Sequence, residues 1–155
     1  MNYDRYYTCD LVNGEGVRVT LFVCGCPHAC PGCHNPSTWD RKAGRPFTAE
    51  IREQLLAHCA THDGLSLSGG DPLHPANRAE VLALCRLFKD RYPDKDIWLW
   101  TGYLYEEVRA LEILRFVDVL IDGRYRQDLP TSKPWRGSAN QRLLRLKEAR
   151  VRAER

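Results

Sequence analysis

The chain has 155 residues, 43% hydrophobic and 28% charged, which fits one soluble globular domain and excludes a disordered or fibrous chain. A formal charge of +3 is too small to argue for a nucleic-acid partner, and no run approaches the roughly 20 apolar residues of a membrane span. The N-terminus MNYDRYYTCD lacks the basic and apolar regions of a signal peptide, so the expected address is the cytoplasm.

The first predicted strand is Val17 to Val23, rich in β-branched and aromatic residues, and it runs straight into a cysteine cluster. Thr48 is the predicted N-cap of a helix that places Ile51, Leu55 and Cys59 on one face. Asp63-Gly64 then turns the chain into a second strand, Leu65 to Ser68. A second helix starts near Asn77, stacks Val81, Leu84, Cys85 and Phe88, and ends before Pro93. A third strand, Ile97 to Thr101, precedes a third helix from Tyr105 to about Leu114, with Val108, Leu111 and Leu114 inward. The fourth strand is Val117 to Ile121. Strands alternating with helices predict a single α/β domain with a mostly parallel sheet. Such folds bind ligands beyond the C-terminal strand ends, here CGCPHAC, GGDP, GY and DGR.

Seven cysteines are an odd count for a disulfide framework and point to a reducing compartment and metal chemistry. Cys26, Cys30 and Cys33 form a CxxxCxxC motif, three thiolates on one short loop. Thiolates are the usual ligands of iron-sulfur clusters, and three of them leave one iron of a four-iron cluster open to a ligand. Two alternatives stay open: Cys24 as a fourth thiolate, and structural zinc held by cysteines with His28 or His34. Cys59 and Cys85 fall on apolar helix faces and read as small hydrophobes.

Gly69 and Gly70, followed by Asp71 and Pro72, let the backbone approach a ligand closely, although Asp71-Pro72 also reads as a helix N-cap and first position. Trp39, Trp98 and Trp100 read as core or interface residues, and His58, His62 and His74 as exposed side chains without partners. Residues 135–141 form a polar, irregular stretch that either lines a site or caps the sheet. From Gln141 to Arg155 six basic residues face two acidic ones, so residues 1–140 are read as the domain and 141–155 as a basic extension.

The cysteine motif with His34-Asn35 after it, and the later Gly69-Gly70-Asp71-Pro72, resembles the radical S-adenosylmethionine activases of glycyl-radical enzymes. The resemblance runs from NYDRYY and LVNGEGVRVTLFVCGC through SLSGGDPLHP, DIWLWTGY and VDVLIDGRY to WRGSANQ, nearly the whole chain. Glu15 stands where relatives often carry proline. The family implies an open, partial β/α barrel, since 155 residues are too few for a complete one. It implies a 4Fe-4S cluster on Cys26, Cys30 and Cys33, with S-adenosyl-L-methionine chelating the fourth iron. Gly69, Gly70 and Asp71 match the stretch that receives the methionyl amino end, and Gly32, Cys33 and His34 lie where adenine is contacted. The implied partners are a glycyl-radical enzyme, anaerobic ribonucleoside-triphosphate reductase first and pyruvate formate-lyase as the alternative, and an electron donor such as a flavodoxin-like protein. A non-catalytic iron-sulfur or zinc module is the reading outside the enzymes.

Overall fold

Leu21, Leu67, Leu99, Leu120 and Leu144 stand in register on five neighbouring strands, one apolar row across a seven-stranded sheet. The computed structural model describes residues 1–147; residues 148–155, most of the basic tail, lie outside the described residues. In chain order the elements are β1 (Asn2–Asp10), β2 (Arg18–Val23), β3 (Arg45–Pro46), α1 (Ala49–His58) and β4 (Gly64–Gly69). There follow α2 (Arg78–Arg91), β5 (Asp96–Trp100), α3 (Tyr105–Val108), β6 (Val119–Asp122) and β7 (Arg142–Arg145).

The sheet order is β3-β1-β2-β4-β5-β6-β7. The four inner strands β2, β4, β5 and β6 are parallel, as the alternating pattern predicts. The margins are antiparallel and add strands that the sequence reading lacks: β1 pairs with β2 and β3, and β7 with β6. These strands escape the sequence reading because they mix polar and apolar residues, as β1 does with NYDRYYTCD. The sheet thus continues through Arg145, into the segment read as an extension.

Side chains alternate between the two sheet faces. Val19, Leu65, Ile97 and the leucine row pack with Leu55 and Leu56 of α1 and with Val81, Leu84, Cys85 and Phe88 of α2. Each fully buried leucine contributes about 1.5–3 kcal/mol by leaving water. Trp98, Val119 and Ile121 form a second cluster with Trp100, Trp135 and Leu143. Thr48 caps α1 as expected, its Oγ1 accepting from Ile51 N at 3.2 Å.

The third helix is corrected. It stops at Val108, and a separate 3-10 turn occupies Glu112–Arg115. Val108, Ile113 and Leu114 are all buried, yet on one continuous helix they would point to different sides. Breaking the helix brings all three to the core. His62 and His74 are also corrected: both are half-buried, His62 bonded to Thr8 O and His74 Nδ1 accepting from Ala76 N at 3.0 Å. Among the described residues no helix is long and apolar enough to cross a membrane.

Candidate metal and cofactor site

Beyond β2 the chain makes a loop that closes on itself. Gly25 N donates to Thr38 O at 2.7 Å and Cys26 N to Trp39 O at 3.0 Å, so residues 25–39 leave and return at one place. Inside it Cys33 N donates to Cys30 O at 3.1 Å, a tight turn that brings the backbones of the two cysteines together. Ala29 adopts a left-handed φ of 48°, uncommon for a residue with a side chain. Pro36–Thr38 form a 3-10 turn, and Thr38 Oγ1 donates to Asn35 O at 2.6 Å.

The glycine turn beyond β4 sits directly against this loop. Gly70 N donates to Val23 O at 2.8 Å and Asp71 N to Gly25 O at 2.7 Å. A Cβ on Gly70 would lie 2.6 Å from Gly25 O and 2.7 Å from Thr38 O, so only glycine allows this approach. Asn77, at the start of α2, ties the same junction by donating to Cys24 O at 2.9 Å and Asp71 O at 3.3 Å. The two motifs, far apart in sequence, are joined backbone to backbone.

A cavity of about 390 Å³ opens here. Cys26, Cys30, Cys33, His34, Gly69 and Gly70 line it. Gly32 and Asp71 do not: Gly32 packs against Gln127, and Asp71 is fully buried. The ends of β5 and β6 contribute Thr101, Gly102 and Gly123, at the positions where a parallel sheet presents ligand contacts. The 135–141 stretch lines the cavity as well, through Trp135, Arg136, Gly137 and Gln141.

Sequence reasoning missed three parts of the wall. Trp39 and Trp100, read as core or interface residues, face the cavity, and Trp100 Nε1 donates to Trp135 O at 2.8 Å. Tyr125 reaches it beside His34, their rings 4.9 Å apart; its only signal is its place just after DGR. Val12 and Asn13 reach it from the β1–β2 connection, which has no signal once β1 goes unrecognised.

All seven cysteines are free. Burial pushes the Cys26 thiol above its ordinary range, reinforced by the Asp71 charge and opposed by the amides of His28 and Ala29. A metal centre reverses that cost by taking the thiolate. Cys24 is buried at the foot of the loop with its Sγ against Gly44, and it does not line the cavity. Burial pushes Cys59 and Cys85 to about 12, so they are inert core residues, as their helix positions predict.

The donor set fits an iron-sulfur cluster. Three free thiols share one cavity wall, and Trp39 Nε1 is a buried donor with no partner among the described residues. No three His, Cys, Asp or Glu side chains among those residues gather as ligands of a single ion would. A cluster takes each thiolate on a different iron and so asks for a wider triangle.

Comparison with known proteins agrees with this chemistry. A family model described as a 4Fe-4S single cluster domain matches residues 12–144. The chain is similar to the anaerobic ribonucleoside-triphosphate reductase-activating protein of Enterobacteria phage T4, 55% identical over 145 residues, covering 92% of this chain and 93% of the relative. Proteins of the same name from Pasteurella multocida (strain Pm70) and Escherichia coli (strain K12) are 49% and 47% identical. These alignments cover 94% and 91% of this chain, and 98% and 96% of the relatives.

Proposed function

The chain belongs to the anaerobic ribonucleoside-triphosphate reductase-activating proteins and their 4Fe-4S single cluster domain family, and on that footing we propose that it is a radical S-adenosylmethionine enzyme. Its product is a glycyl radical on anaerobic ribonucleoside-triphosphate reductase, formed when a 5′-deoxyadenosyl radical takes one hydrogen atom from a glycine of that partner. The sheet is read as an open, partial β/α barrel, and a flavodoxin-like protein as the electron donor.

The observation that carries this reading is the backbone junction of the cysteine loop and the glycine turn, with three thiols and two bare glycines on one cavity. Cys26, Cys30 and Cys33 would hold the cluster. The chemistry it would supply there is one-electron reduction, directed at the sulfonium of S-adenosylmethionine, which leaves as methionine and the adenosyl radical. Gly69 and Gly70 offer backbone to the methionyl amino end, and Asp71 belongs to that stretch by holding the turn in place. Cys33 and His34 form the adenine side, where the His34 ring already packs on Tyr125, and Gly32 stands behind them against Gln127. Trp100 and Trp135 supply apolar wall that excludes water from a reactive radical.

The deciding experiment is anaerobic electron paramagnetic resonance of the reduced, iron-reconstituted protein with and without S-adenosylmethionine. A cluster signal that changes on adding the cofactor is the expected result. An iron-free protein, or a cluster indifferent to the cofactor, would return the chain to a closed metal module. Incubation with the reductase or with pyruvate formate-lyase then assigns the partner by which of them gains the glycyl signal.

A further inference from the structure

Asp71 is fully buried, and its carboxylate is saturated from within the protein. Thr101 Oγ1 lies 2.9 Å from both oxygens, the amides of Gly102 and Leu73 donate at 3.0 and 2.9 Å, and His28 Nε2 lies at 2.7 Å. A carboxylate offers about four lone-pair positions, so no oxygen is left for a cofactor ammonium. Asp71 therefore acts on the site through what it holds.

What it holds from the cysteine loop is His28. Its side chain is only 3% exposed although Pro27 and Ala29 on either side are exposed. The ring stands edge-on to Tyr103, centroids 4.7 Å apart, and on another side it meets Gly102, where a Cβ would come within 2.3 Å of His28 Cδ2. Hydrogen bond, aromatic ring and bare backbone thus fix the imidazole in one place, with Nε2 facing the carboxylate. His28 lies between Cys26 and Cys30, and Asp71 directly follows Gly70.

We propose that His28 is a positioning residue: its bond to Asp71 sets the cysteine loop in register with the glycine turn and holds the strained Ala29 conformation beside it. This rests on the cluster and cofactor reading above. Gly102 is part of the same device, since any side chain there displaces the ring.

Three variants test it: His28→Phe removes the bond, His28→Gln keeps an N–H near the Nε2 position, and Gly102→Ala pushes the ring while leaving both partners intact. In the metal-free protein, alkylation of Cys26 and Cys30 by iodoacetamide, read by mass spectrometry, is expected to accelerate about tenfold in His28→Phe and Gly102→Ala, the scale of one hydrogen bond to a charged group. After reconstitution both should bind iron as the parent does, yet need about tenfold more S-adenosylmethionine for the same change in the cluster signal. His28→Gln should stay near the parent in both. Parent-like behaviour of His28→Phe and Gly102→Ala, or a His28→Gln as impaired as His28→Phe, would overturn the proposal. A parent protein whose cluster ignores the cofactor would instead sink the functional reading, and the alkylation order would still decide the role of His28.

Discussion

Arg142 Nε donates to Asp122 Oδ1 at 3.0 Å, fastening the last strand to the fully buried carboxylate at the end of β6. The same guanidinium reaches the exposed Glu106 at 2.8 Å, and these hydrogen bonds raise its pKa while lowering that of Glu106. Asp122 is the partner that matters, because its charge has left water. Arg142→Met is expected to lower unfolding stability by about 2 kcal/mol, less than the ~3–5 kcal/mol of a fully buried pair because the guanidinium is part-exposed. Glu106→Gln should leave the urea midpoint unchanged, since exposed pairs are screened. Urea titrations of the two variants separate these outcomes.

Asp10 organises the β1–β2 connection that brings Val12 and Asn13 to the cavity. Its carboxylate accepts from Val12 N at 2.8 Å and Asn13 Nδ2 at 2.6 Å. Burial pushes this carboxyl up, but the hydrogen bonds, led by Asn13, outweigh it and leave it below the ordinary range. A depressed folded value means the stabilisation is complete above the unfolded carboxyl pKa of ~3.9 and is lost as pH falls through the folded value. Asp10→Asn should cost about 1 kcal/mol at pH 7. That gap in urea midpoint should hold down to about pH 5 and narrow below about pH 4; a gap constant to pH 3 would remove the ionic argument.

The parallel core was legible because β2 and β4 are largely buried on both faces, which writes residues 19–23 and 64–69 as runs of apolar and small residues. The three thiols that share the cavity wall were legible because they are local in sequence. The antiparallel margins were not, and with them went Val12 and Asn13, since reaching the cavity depends on a pairing between β1 and β2 that leaves no local trace. Asp71 shows the other limit. Its sequence neighbourhood announces a ligand turn, while its carboxylate finds its partners at Thr101, Gly102 and His28, distances that only folding creates.

The cysteines divide by burial and position. Cys26→Ala, Cys30→Ala and Cys33→Ala are each expected to lose stable iron after anaerobic reconstitution, while Cys24→Ala keeps it, because Cys24 faces Gly44 away from the cavity. Iron loss in Cys24→Ala would instead make it a ligand. Cys59 and Cys85, held near 12 by burial, remain protonated at pH 8 and should escape iodoacetamide in the native protein. Mass spectrometry of the alkylated, metal-free chain reads all of them at once.

Gly70→Ala should be a damaging single-methyl change at the junction of the two motifs. The added carbon would meet two carbonyl oxygens, Gly25 O and Thr38 O, and backbone cannot swing aside as a side chain does. Both oxygens are already engaged, Gly25 O by Asp71 N and Thr38 O by Gly25 N, so relief must open the junction between the cysteine loop and the glycine turn. Overpacking of this kind costs about 1–3 kcal/mol, which a domain of this size survives at low temperature. The folded variant is then expected to bind iron, since its three thiols lie on the loop itself. It should lose the cofactor-induced change in the cluster signal, because the turn no longer meets that loop. Circular dichroism establishes the fold and electron paramagnetic resonance the response. A folded Gly70→Ala with the parent's response would show that the close approach serves packing alone.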